Sequence, residues 1–68
     1  MDFAIEFDRE SDGRWIAEVP SLAGTMAYGA TRDQAMTRVQ VLALRVLADR
    51  MDHQEMPSGD LTISFRAA

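Results

Sequence analysis

The chain has no cysteine and no lysine, only two prolines and four glycines, and no long apolar run. Each absence removes a class of explanation. Without cysteine there is no disulfide framework and no zinc site built on thiolates, and the lack fits a reducing compartment. No apolar stretch approaches the roughly 18 residues of a membrane span. The N-terminus Met1-Asp2-Phe3-Ala4-Ile5-Glu6 is acidic and alternating, unlike a secretory signal, so the expected location is cytoplasmic. Seven arginines against eleven acidic residues leave a formal charge of −4. That balance argues against nucleic-acid binding, which needs clustered cations to neutralise phosphates. Sixty-eight residues make one domain, which buries only about 60% of its unfolded surface. Such a chain gains from a partner or from self-association.

What is present is patterning. Phe3, Ile5 and Phe7 alternate with Ala4, Glu6 and Asp8, the period-two signature of a half-buried strand. The polar run Asp8–Gly13 reads as a hairpin turn. Trp15–Val19 is a second strand with Trp15, Ala17 and Val19 on one face. Pro20 stops it, because proline cannot donate to a ladder. After the Pro20–Gly24 connection, Thr25–Tyr28 reads as a short third strand ended by Gly29. Thr31 and Gln34 form a T-x-x-Q capping box, and Asp33 suits the first turn of a helix. The helix is predicted from Arg32 to about Met51, followed by a Met56–Gly59 turn. A fourth strand carries Leu61, Ile63 and Phe65 on one face. The expected fold is therefore α+β, in the order β-β-β-α-β: an antiparallel three-stranded meander, a fourth strand parallel to the first, and one helix on one sheet face.

At 100° per residue, Ala35, Met36, Val39, Leu42, Ala43, Val46 and Leu47 fill one stripe of the helix, the predicted core face. Gln34, Arg38, Arg45 and Asp49 fall opposite. Val41, Leu44 and Ala48, next to Met51, form a second apolar ridge at i, i+3 and i+7. A helix that covers one sheet face does not need it. The ridge is part of a generous core, or is roofed by the loop at His53–Pro57, or is an oligomer or partner interface; we expect the interface, at Val41, Leu44, Ala48 and Met51.

Catalytic signals are weak. His53 has only Asp52 and Glu55 nearby, fewer than the converging ligands a metal needs. Glu6, Asp8 and Glu18 lie on neighbouring strands, on the face away from Phe3, Ile5 and Phe7. A solvated polar face is the simplest reading; a remnant metal-dependent nuclease site is the alternative. Ser21 has no base at a recognisable spacing. No catalytic residue, cofactor or metal is expected.

The ordered set Trp15, Val19, Pro20, Leu22, Gly24, Gly29, Thr31 and Ala35, with Met56-Pro57 before the last strand, resembles the N-terminal domain of HicB-type antitoxins. In that family an aromatic-led strand ends in P-D-L-x-G, and G-D-T-x-E-E-A opens the helix. Here Ser21 and Ala30 replace the usual aspartates and Asp33-Gln34 the usual Glu-Glu, keeping the turn and cap roles. The resemblance spans residues 1–68 as a single HicB-like domain. It implies a partial ribonuclease H-like fold without that fold's catalytic carboxylates. It also implies a prokaryotic toxin–antitoxin protein, not an enzyme, that binds and occludes a small basic HicA-type RNA-cleaving toxin, or an orphan relative of such antitoxins. A homodimer or homotetramer is implied, and the family's separate DNA-binding domain is not expected here, so neither is direct DNA binding. The competing reading is a stand-alone homo-oligomer that binds a small ligand between subunits.

Overall fold

A computed structural model describes residues 1–57 and 59–68. The elements are β1 (Asp2–Arg9), β2 (Trp15–Glu18), β3 (Met26–Gly29), α1 (Arg32–Asp52) and β4 (Ser64–Ala67). They form one four-stranded sheet in the order β3-β2-β1-β4. β1 runs antiparallel to β2 and parallel to β4, and β2 runs antiparallel to β3. The mixed β-β-β-α-β architecture is the one the sequence predicts.

The alternation explains the sheet. Phe3, Ile5, Ala17 and Val19 are buried beneath the helix side, while Glu6 and Asp8 are exposed on the other face. The hairpin between β1 and β2 is tighter than the polar run suggests. Gly13 N donates to Glu10 O (2.9 Å) and Glu10 N to Arg14 O (2.8 Å), with Gly13 at φ 91°. This is a three-residue loop whose last position needs positive φ. Asp12 anchors it, accepting from Arg14 N (3.0 Å) and Arg14 Nε (2.7 Å). Two consecutive turns then link β2 to β3. Leu22 N donates to Val19 O and Thr25 N to Leu22 O, both at 3.0 Å, and Gly24 at φ 76° takes the position where a type II turn requires positive φ. Leu22 is thereby tucked into the core.

β3 spans Met26–Gly29, one residue later than predicted, because Thr25 is used by the preceding turn. Gly29 does more than end the strand. A Cβ there would lie 2.9 Å from the carbonyl carbon of Gln34 and closer still to Ala35 N. The strand end and the first helical turn touch backbone to backbone. Thr31 caps the helix, its Oγ1 accepting from Gln34 N (3.1 Å). The return bond of the capping box is displaced by one residue: Gln34 Oε1 accepts from Ala30 N (2.7 Å), not from the cap residue's own N–H. The helix end is a Schellman motif. Gln54 N donates to Met51 O (3.0 Å) and Glu55 N to Arg50 O (2.8 Å), with Gln54 at φ 56° where glycine is usual.

Helix α1 packs chiefly on β3 and β2. Only Ala35, Val39, Ala43 and Leu47 are fully buried on it. Met36 packs against the core, whereas Leu42 and Val46, also half-buried, do not join it. The predicted stripe is therefore too wide. Small residues at Gly29, Ala35 and Ala43 let the helix approach closely along one line, which leaves the flanks of the stripe outside. β4 is shorter than its alternating pattern, with pairing from Asp2↔Ser64 to Ile5↔Ala67. Ahead of Ser64, the Met1 ammonium donates to Thr62 O (2.6 Å). The predicted Met56–Gly59 turn includes Ser58, which lies outside the described residues.

Candidate functional site

The helix is longer than the sheet it covers. Its 21 residues rise about 32 Å, and the chain measures 42 × 19 × 16 Å with a radius of gyration of 12.8 Å, against about 11 Å for a compact chain of this size. The side of the helix turned away from the sheet carries the predicted ridge. Val41, Leu44, Ala48 and Met51 are all exposed, with Val41, Leu44 and Met51 at 44%, 46% and 50%. They lie roughly 140° round the helix from the buried line, at 100° per residue. The loop after the helix does not roof them. Instead Met51 joins Met56, Pro57 and Leu61 in lining a groove of about 600 Å³, which Gln54 and Gly59 complete. Leu61 is 41% exposed. Ridge and groove thus share Met51 and make one apolar track around the C-terminal end of the helix.

The uncovered sheet face supplies charge. Glu6 stands directly opposite Glu18, and Asp8 opposite Ile16. With Glu10 and Met26 these line a shallow depression of about 300 Å³. Like charges directly opposed on a sheet are destabilising. Among the described residues the arginine–carboxylate ion pair is Arg14–Asp12, and the His53 ring lies 3.5 Å from an Asp49 carboxylate oxygen, so no arginine is within ion-pair distance of Glu6, Asp8 or Glu18. Arg14 on this face is engaged elsewhere, its Cζ 4.6 Å from the centre of the Tyr28 ring.

The residues singled out in the sequence fall mostly into structural roles. Trp15 opens β2, half-buried, with Arg9 Cζ 5.3 Å from its ring centre. Pro20 is exposed at the strand end, Leu22 and Ala35 are core, Gly24 and Gly29 serve turn and contact, and Thr31 is the cap. Only the ridge residues remain without a packing role. His53 Nδ1 lies 2.8 Å from Asp49 O at the helix end. Among the described residues no three His, Asp or Glu side chains converge as metal ligands would, so Glu6, Asp8 and Glu18 are neighbours without forming such a group. Among the described residues no helix is long and apolar enough to cross a membrane. Sequence reasoning missed Arg38, whose Nη1 donates to Tyr28 O (3.0 Å); nothing in its helical spacing marks it.

No protein-family model, curated protein or solved structure matches the chain.

Proposed function

We propose that the chain is a HicB-like antitoxin module of the cytoplasm that binds and occludes a small, basic HicA-type RNA-cleaving toxin. The observation that carries the reading is the apolar track of Val41, Leu44, Ala48 and Met51, exposed on a helix whose opposite side already supplies the core. A contiguous exposed apolar surface on a small chain marks an interaction site. The uncompensated Glu6, Asp8 and Glu18 supply the sign of the partner: a cationic surface relieves their mutual repulsion and is steered toward them. The ordered Trp15–Ala35 elements link this surface to the antitoxin resemblance.

The test is to look beside this chain's gene for a small basic open reading frame, whose absence favours an orphan relative, and to co-express its product with the chain. Growth arrest by that protein alone, relieved by the chain and not by its Leu44→Glu variant, is the expected result. Arrest that persists with the wild-type chain would refute the reading.

The groove at Met51, Met56 and Leu61 favours a second reading. Its volume of about 600 Å³ falls within the range of small-molecule sites. A metabolite that raises the melting temperature of the wild-type chain, but not of Met56→Arg, would support ligand binding there. A flat response would remove it.

A further inference from the structure

The two edges of the sheet are treated differently. On β3, Arg38 reaches from the helix to Tyr28 O (3.0 Å) and occupies a carbonyl on the strand's outer side. On β4 no side chain among the described residues bonds to the outer backbone groups. Ser64 N donates to Met1 O (2.9 Å) and Ala68 N to Ile5 O (2.8 Å). Bonding direction alternates along a strand, so Phe65 and Ala67 present their N–H and C=O groups outward, and Ile63 continues the series. The edge has no proline or bulge to block strand pairing, and the one charge on its strand, Arg66, lies on the face away from Phe65.

Side chains along this edge are sorted by face. Within β4, Phe65 is half-buried on the helix side and Ala67 is exposed there; ahead of the strand, Ile63 is half-buried and Leu61 exposed. Phe65 continues an aromatic row, its ring centre 5.7 Å from that of Phe3. Helix α1 packs chiefly over the other half of the sheet, which leaves this apolar row open at the edge. On the opposite face lie Asp60, Thr62, Ser64 and Arg66. Neither Arg66 nor Asp60 has an ion-pair partner among the described residues.

We propose that the edge segment 61–67, β4 with the three residues ahead of it, pairs with the same segment of a second copy of this chain, antiparallel about a two-fold axis at Ser64, to join the two four-stranded sheets edge to edge. An isologous pairing of this kind is self-complementary. Here Ile63 opposes Phe65 of the second copy and Leu61 opposes its Ala67, four apolar pairs in all. Arg66 comes diagonal to Asp60 of the second copy, within reach of a long side chain, so two unpaired charges on each chain are matched. The outward groups of Ile63, Phe65 and Ala67 meet their counterparts, as a bonded antiparallel pair requires. The pairing shares Leu61 with the groove but uses none of the ridge residues Val41, Leu44, Ala48 and Met51.

Three variants and one mass measurement test it. Light scattering on the wild-type chain should give twice the 7.6 kDa of one chain. Ala67→Pro removes an outward N–H without touching the bonds to β1, so it should halve the mass while circular dichroism is unchanged. Leu44→Glu should keep the doubled mass. Ser64→Cys places the only thiols of the assembly across the axis, at about 4.5 Å between Cα atoms, within disulfide range. It should yield a reducible covalent dimer under mild oxidation. A monomeric wild-type mass, a doubled mass that survives Ala67→Pro, or the absence of that covalent dimer would each overturn the pairing.

Discussion

Replacing Gly29 with alanine isolates one tertiary contact. Gly29 is buried at the end of β3, and its φ lies outside the left-handed region, so the backbone itself accepts an L side chain. The obstacle is steric. The new methyl meets the backbone of Gln34 and Ala35 at distances real Cβ atoms essentially never show, and backbone in a capped first turn does not swing aside as a flexible side chain would. Relief requires the helix to lift from β3, opening the line of Ala35, Val39 and Ala43. Overpacking a tight core costs about 1–3 kcal/mol, and separating this helix from its sheet puts the expected cost near the top, about 3 kcal/mol. A chain of this length has only about 3–10 kcal/mol in total. Gly24→Ala is the control: no atom stands within 4 Å of its Cβ position, and only its positive φ of 76° resists, for about 1 kcal/mol. Urea unfolding followed by Trp15 fluorescence measures both. A Gly29→Ala cost equal to or below that of Gly24→Ala would refute the close-contact reasoning.

Other predictions concern single side chains. Gln54→Gly removes a left-handed non-glycine residue from the helix end and should raise stability by about 0.5–1 kcal/mol in the same assay; no gain would mean that the Schellman geometry is not populated. Thr25 is 1% exposed and its hydroxyl has no hydrogen-bond partner among the described residues. Thr25→Val should therefore gain about 1 kcal/mol, and a loss would show that the hydroxyl is satisfied in solution. The Asp12 carboxyl is held below its ordinary 3.8 by the Arg14 backbone N–H first and then by the Arg14 side chain. Because the folded value is depressed, the anchoring is present above 3.8 and lost as pH falls through the lower folded value. The Arg14 amide resonance should titrate with a midpoint below 3.8, and a midpoint at or above that value would contradict the bond.

The sheet was legible because its signal is local. Phe3, Ile5 and Phe7 alternate with polar residues, and the Thr31–Gln34 spacing announces the helix within one turn. What escaped is what two distant segments do to one another. Gly29 looks like punctuation in the sequence; its contact with Ala35 exists only once β3 and α1 are side by side. Leu42 and Val46 fit the helical period of the core, yet that period does not reveal how narrow a line of contact small residues allow. Gln54 carries no sequence signal for a helix end, because glycine is the usual residue there. The ridge was legible as apolar residues outside the core period. Whether the loop at His53–Pro57 covers it depends on the path of that loop, which the spacing does not encode.

The central claim is that the exposed ridge is a binding surface, and a titration of the partner protein against Leu44→Glu tests it most directly. Leu44 is 46% exposed, and exposed substitutions away from special features change stability by no more than about 0.5 kcal/mol, so the variant should fold and melt like the wild type. A glutamate placed at the centre of an apolar interface should weaken binding by about 100-fold, equivalent to about 2.7 kcal/mol. Equal affinity of the two chains for the partner would contradict the account.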